Sequence, residues 1–298
     1  MDPVALRLGP ITIYWYGLLI VIGAVVAAGI SWVEARRRGE NPEHVWNLVA
    51  WVLLLGIIGA RLYHVISSPA GGFPGWSYYR ANPIEIIAFW KSGFRGLGIF
   101  GALLGGVLAI FLYTRFSRLI FLRWTDIIAP GALLAQAIGR WGNYINQELY
   151  GPPTTLPWGI QIDGAHRFGP YIDLNRYPIE TRFHPTFLYE SIWNLIGFGL
   201  LMWVGRRYAD RLRDGDVTFL YLIYYAAGRL WIEILRPDAW LIGPFPAAQL
   251  FALTMLIVGL LGLYLRHRTW QPPETWYQRT HGASEQTDAH DQPAANAA

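Results

Sequence analysis

Twenty-three consecutive residues, Ile11 to Val33, carry no charged side chain. As a helix that length crosses a hydrocarbon core of about 30 Å. The run is longer than the apolar core of a cleaved leader, and Asp2 with a lone Arg7 makes a poor basic leader segment, so it is expected to stay as a first membrane span. Charge over the whole chain agrees. Only 15% of the 298 residues are charged, against about 25% in an average soluble domain, and the mean hydropathy is +0.26. The 15 Trp and 17 Tyr suit interfacial belts as well as cores. A net charge of +4 in a soluble protein would raise nucleic acid as a partner. Here the basic residues sit in short clusters between apolar runs, the pattern that sets membrane topology, and no nucleic-acid partner is expected. The chain has no cysteine, which removes disulfides, thiolate metal sites and a cysteine nucleophile.

Six further spans are expected: about Val45–Ile66, Gly96–Thr114, Thr125–Gly139, His184–Val204, Val217–Leu235 and Ala247–Leu265. Basic clusters follow the first, third, fifth and seventh spans: Arg36 to Arg38; Arg115, Arg118 and Arg123; Arg206, Arg207, Arg211 and Arg213; Arg266 to Arg268. By the positive-inside rule the amino terminus is then outside and the carboxyl terminus cytoplasmic. The expected fold is an all-α polytopic membrane protein of seven helices. Ser67–Asn82 reads as an outer loop, and Pro83–Lys91 as a short amphipathic or re-entrant helix with Ile84, Ile86, Ile87, Phe89 and Trp90 at the interface. Residues 149–185 read as a small extracytoplasmic cap, with a strand pair around Pro157–Ile162 turned by Asp163-Gly164. A turn at Pro237–Pro244 precedes the last span. The expected division is a membrane domain, 1–268, and a polar, disordered cytoplasmic tail, 269–298.

Gly96-Leu97-Gly98-Ile99-Phe100-Gly101 matches GxGxxG literally, but it lacks the preceding strand and soluble βαβ unit of a dinucleotide site. Small residues spaced for close helix packing, Gly101 with Gly105 and Gly98 with Ala102, explain it better. More telling is Gly139-Arg140-Trp141-Gly142-Asn143-Tyr144-Ile145-Asn146-Gln147-Glu148-Leu149-Tyr150-Gly151. It places an arginine, two asparagines and a glutamate directly after the uncharged run Ile127–Gly139. Two readings are open: a helix end meeting water, or a polar site set in the membrane. In the sixth span Tyr225, Arg229, Glu233 and Arg236 fall on one helix face. An exposed Arg–Glu pair four residues apart contributes only about 0.2–0.5 kcal/mol, while an ionised side chain in hydrocarbon costs about 2.5–3.5 kcal/mol. The stripe is therefore read as facing inward. Arg61, Arg236, His184 and Glu190 are further candidates for the outer half, although Arg61 with His64 also fits the interface. Guanidiniums converging from different helices suit bidentate capture of a phosphate, which in an outer leaflet is a phospholipid head group. No serine elbow, HExxH or aspartate pair offers a covalent or metal-assisted hydrolysis.

These residues resemble the bacterial prolipoprotein diacylglyceryl transferase family. Gly139–Gly151 is similar to its signature GRxGNFxNxExxG. Trp15-Tyr16-Gly17-Leu18 resembles its WYGL, His184–Glu190 its HPxxLYE, and Gly228-Arg229 with Glu233 and Arg236-Pro237-Asp238 its GRxxxExxRxPD. The resemblance implies transfer of the sn-1,2-diacylglyceryl group from phosphatidylglycerol to the lipobox cysteine thiol of a prolipoprotein. A thioether forms and glycerol 1-phosphate leaves. It implies a multi-pass protein of the bacterial plasma membrane, needing no cofactor or metal, whose nucleophilic sulfur belongs to the substrate. By motif position it implies catalytic roles for Arg140, Arg229, Glu148 and Glu233, the glutamates fixing the guanidiniums. It also implies phosphatidylglycerol binding by Arg140, Tyr16, Asn143, Asn146, Gly151, Tyr225 and Arg236. The chain departs at Phe100-Gly101-Ala102-Leu103-Leu104-Gly105, where the family's HGGLIG carries a histidine regarded as a candidate base. Phe100 takes no proton, which leaves the base unassigned. A transporter would continue polar residues across the membrane or break helices at its midplane, and spans one, three and seven carry no such residues. A scaffold protein would use Arg229–Glu233 and Arg140–Glu148 as assembly pairs.

Overall fold

The computed structural model describes residues 2–9, 11–67, 75–87, 96–237 and 241–268. The expectations for the tail 269–298, for 68–74 of the first outer loop, for Ala88–Lys91 with its Phe89 and Trp90, and for Asp238–Trp240 lie outside them. The helices are α1 Trp15–Arg37, α2 Glu43–Ser67, α3 Trp76–Ala81, α4 Ile84–Ile87, α5 Ile99–Phe116, α6 Phe121–Ile145, α7 Thr186–Arg207, α8 Asp216–Ile232 and α9 Ala247–His267. Three two-stranded antiparallel pairs accompany them: β1 Val4–Leu8 with β2 Ile11–Tyr14, β3 Ile160–Gln161 with β4 Arg182–Phe183, and β5 Leu241–Ile242 with β6 Phe245–Pro246. The architecture is helical, with these pairs as connecting structure.

Among the described residues, six helical segments are long and apolar enough to cross a membrane: α1, α2, α5, α7, α8 with the short turn after it, and α9. Burial runs opposite to that of a water-soluble domain. Glu34, Arg38, Asp126, Asn143, Glu190 and Glu233 are buried, while Val21, Leu54 and Leu104 stand 59%, 59% and 70% exposed. Such a surface is stable only against lipid tails, and its charged groups persist because they are turned inward and paired. The protein is a polytopic membrane protein.

Four sequence expectations need correction. The first helix starts at Trp15, not Ile11, because Ile11-Thr12-Ile13-Tyr14 is a β-branched, aromatic run that pairs with Val4–Leu8 across Gly9 at φ +59°. The helix delivering the arginine motif does not stop at Gly139 but continues to Ile145. Inside the presumed loop Ser67–Asn82, residues Trp76–Ala81 are helical. The cap's strand partner is Arg182–Phe183 rather than a local hairpin, and Gly164–His166 is a 3-10 turn. Local patterning does not encode a partner twenty residues away.

The chain divides into two compact units, one running to Gly39 and resuming at Asp126, the other Glu40–Thr125. In the second unit α2 and α5 lie backbone to backbone. A Cβ on Gly105 would run into the Leu55 carbonyl, and one on Gly101 into that of Gly59. The Gly101–Gly105 reading holds, whereas Gly98 faces the Tyr63 ring. Gly105→Val should destabilise the protein by more than the usual 1–3 kcal/mol or so of overpacking, since backbone rather than a side chain must move. An unchanged thermal midpoint in detergent would refute that contact. Arg61 is 7% exposed. Its Nε, Nη1 and Nη2 donate to the carbonyls of Ile86 (2.9 Å), Gly96 (3.0 Å) and Glu85 (2.5 Å), over the Tyr79 ring. It anchors the connection between α2 and α5. Phe100 packs on Tyr63 with ring centroids 5.8 Å apart, so Phe100→Ala should lower stability while leaving both limbs of a pH–rate profile in place.

In the first unit α6, α7 and α8 share a core of Ala129, Leu133, Leu201 and Val217. The cap has its own core of Tyr150, Ile162, Tyr171 and Phe183. Arg167, 5% exposed, ties the cap's loops by donating to the carbonyls of Ile162, Tyr177, Pro178 and Ile179.

Candidate active site

The end of α6 builds one side of the site. The N–H of Glu148 reaches back to the carbonyl of Asn143 (3.0 Å) and that of Gln147 to Tyr144 (3.1 Å). This is the paired closure in which the residue after the helix turns left-handed. Gln147 takes that position at φ +52°, and Leu149 follows at +57°. Non-glycine residues there are strained, and a clamp holds the turn. Gln147 Nε2 donates to Asp163 Oδ2 (2.5 Å), and Asp163 N donates to Gln147 Oε1 (2.7 Å). The amide donor holds the Asp163 carboxyl below its ordinary value. Its folded value being lowered, the contact is complete above about pH 4 and is lost as pH falls through the lowered value. Amide exchange at Asp163 should rise over that interval, and a flat profile would contradict the clamp.

That turn brings Glu148 back over α6. Its Oε1 accepts from Asn143 Nδ2 (2.8 Å) and Asn146 Nδ2 (3.4 Å), and Asn143 Oδ1 in turn accepts from Arg140 Nη1 (3.4 Å). Glu148 therefore acts on Arg140 through Asn143. Tyr16, on the first turn of α1, lays its ring over Gly142, where a Cβ would penetrate it. Gly151 lies where the cap begins. Its N–H donates to the His184 carbonyl (2.9 Å), and a Cβ there would stand 2.8 Å from His184 Cβ and 3.0 Å from the Leu235 carbonyl.

The second side comes from α7 and α8. The stripe on α8 is as expected: Arg229 Nη2 pairs with Glu233 Oε2 at 2.7 Å, and Arg236 Nη1 lies 3.8 Å from the same oxygen. Tyr225 stacks on Tyr221 and, with Glu190, Asn194, Gly228 and Arg229, lines a cleft of ≈10 Å³, room for about one water. The two sides meet at Glu190 on α7. Its Oε2 is 2.5 Å from Arg140 Nη2, and its Oε1 is 3.5 Å from Arg229 Nη1. One carboxylate thus bridges guanidiniums from two other helices. In the sequence Glu190 is a candidate for the outer half and closes the motif His184–Glu190. Nothing local in the sequence assigns it both partners, because that pairing exists only once three helices are packed.

His184 lies at the rim. Trp158 Nε1 donates to Tyr189 Oη (3.0 Å), and the same hydroxyl lies 3.0 Å from His184 Nδ1.

Arg140 and Arg229 thus turn guanidinium forks to the Glu190 carboxylate inside a protein whose surface is apolar, and the class that these features define is a polytopic membrane protein. A family profile described as prolipoprotein diacylglyceryl transferase matches residues 3–265. Proteins named phosphatidylglycerol–prolipoprotein diacylglyceryl transferase are similar along most of their length. That of Chloroflexus aggregans is 43% identical over 87% of this chain and 87% of its own. That of Trichormus variabilis is 41% identical over 89% and 91%, and that of Listeria innocua 35% identical over 92% of each. The chain belongs to the prolipoprotein diacylglyceryl transferase family, and it is a transferase.

Proposed function

We propose that this chain transfers the sn-1,2-diacylglyceryl group of phosphatidylglycerol to the lipobox cysteine thiol of a prolipoprotein, releasing glycerol 1-phosphate. The observation that carries this reading is the Arg140–Glu190–Arg229 bridge. A carboxylate held by two guanidiniums supports a phosphate grip at the same place, since a phosphate likewise offers a pair of oxygens to a guanidinium fork. In the reaction the thiol releases its proton to water, its sulfur bonds to the glyceryl carbon, and the carbon–oxygen bond to phosphate breaks. The phosphate keeps the electron pair and gains negative charge. Arg140 and Arg229 stabilise that developing charge, which is electrostatic catalysis. Their field also lowers the pKa of a thiol that is ordinarily about 8.5. Glu233 holds Arg229 and Arg236, Glu148 holds Arg140 through Asn143, and Tyr16, Asn146, Gly151 and Tyr225 shape the head-group site. The reading requires no cofactor or metal.

The membrane plan belongs to the same proposal. At 25 residues and about 37 Å, α6 is the seventh span, less apolar than the others because Asp126, Arg140 and Asn143 are satisfied within the protein. The basic clusters put the amino terminus and the cap outside and the carboxyl terminus in the cytoplasm of a bacterial plasma membrane. Residues 1–268 form the catalytic domain and 269–298 a cytoplasmic tail. The test is transfer of labelled diacylglyceryl from phosphatidylglycerol vesicles to a lipobox peptide by the purified chain. Labelling of the cysteine peptide and not of its serine counterpart is expected. Labelling of neither would end the proposal.

A further inference from the structure

Arg140 and Arg229 stand on different helices, and something must set how far each helix slides along the other. At the opposite ends of the same helices lies a buried carboxylate that the site chemistry does not use. Asp126, on α6, is 1% exposed. Its Oδ1 accepts from Thr218 N (2.7 Å) and Thr218 Oγ1 (2.6 Å), and its Oδ2 from Gly215 N (2.8 Å). Gly215 is the residue before α8 and Thr218 lies in its first turn, where a helix has donors without partners of its own and a positive dipole end. Gly215, left-handed at φ +105°, admits the approach. Arg38, just beyond α1 and 2% exposed, places Nη1 3.6 Å from Asp126 Oδ2. A second buried acid, Glu34 on α1, holds Arg206 of α7 at 2.9 Å and Arg37 at 2.7 Å.

We propose that Asp126 is a positioning residue that sets the axial register of α6 against α8, and through it the spacing of the Arg140 and Arg229 guanidiniums. From Asp126 to Arg140 is fourteen residues, about 21 Å of helix; from Thr218 to Arg229 is eleven, about 16 Å. The α8 stretch is continuous helix, and the α6 stretch is helical throughout with Pro130 inside it, which removes the N–H that would bond back to the Asp126 carbonyl. A slip where Asp126 meets the start of α8 is carried along both helices to the site. A carboxylate suits this task because it accepts from two backbone donors and a hydroxyl with both oxygens at once. An apolar contact between helices would permit sliding. The inference rests on the phosphate-grip reading only for its catalytic consequence. The register itself is independent of substrate.

The chain has no cysteine, so two can be introduced without background. Spin labels at Trp141→Cys and Ile234→Cys, both exposed positions near the far ends of the two helices, report their separation by electron paramagnetic resonance in detergent. Asp126→Asn should broaden and displace that distance distribution. In the unlabelled chain it should lower kcat about tenfold or more per folded molecule, with KM for the peptide little changed. Thr218→Val, which keeps the carboxylate and removes one donor, should do the same to a smaller degree, and it serves if Asp126→Asn fails to fold. An unaltered distribution overturns the proposal whatever the rate. An altered distribution with an unaltered rate overturns the link to the site. If the parent chain transfers no diacylglyceryl group while the distribution still responds to Asp126, the function reading has failed and the register stands.

Discussion

Arg140→Ala and Arg229→Ala should each abolish diacylglyceryl transfer while leaving the protein inserted, with some loss of stability because Glu190 or Glu233 is left short of a partner. On the proposed reading each removes a donor pair aimed at charge that develops on the leaving phosphate, and losing even one such donor costs about 10²–10³ in kcat. Neither substitution removes a span, since both helices keep their apolar surface. The lysine variants separate charge from geometry. Arg229→Lys keeps a cation but cannot bridge Glu190 and Glu233 with a planar fork. It should recover little of the rate, and Arg140→Lys should behave alike. The measurement is labelled transfer to the lipobox peptide, normalised to folded protein. Rates within a few-fold of wild type in either alanine variant would show that the two guanidiniums do not hold the phosphate.

Glu190→Ala carries the second large effect, and it falls on stability as well as rate. Glu190 is 5% exposed and is the carboxylate paired with Arg140. Removing one partner of a buried ion pair costs about 3–5 kcal/mol, because the other charge stays buried and uncompensated. Arg229 retains Glu233, so the damage should centre on Arg140 and the end of α6. A fall of the thermal midpoint by several degrees is expected, together with loss of transfer. Glu190→Gln keeps the shape and one acceptor oxygen. It should fold nearly as well, yet show a lower kcat, since the two guanidiniums are no longer drawn to one point. A Glu190→Ala protein with unchanged midpoint and rate would mean that the bridge does not organise the site.

Periodicity explains which parts of the site were legible. Tyr225 and Arg229 share a face of α8 because 3.6 residues make a turn, and the Arg229–Glu233 pair at 2.7 Å follows from the same four-residue spacing. The α-helix itself ends at Ile232, and Glu233 lies in the 3-10 turn after it, with Arg236 the extended residue that follows. The Gly101–Gly105 contact is readable for the same reason. That Glu148 reaches Arg140 by way of Asn143 is not legible, because it depends on the closing turn at Gln147, which points Glu148 at Asn143 and Asn146. The start of α1 was misplaced by four residues, since an uncharged run does not distinguish a strand leading into a helix from the helix itself.

Lipid residence, the order of the spans and the arginine-bearing motifs follow from the sequence by itself, because hydrophobic runs and helical spacing are local properties of the chain. Only the tertiary structure decided that Glu190 joins Arg140 to Arg229 and that Asp126 caps the first turn of α8. Those partners lie between about forty and ninety residues apart. The pairing of buried charges across helices is set by which faces pack together, and no local signal in the chain records it.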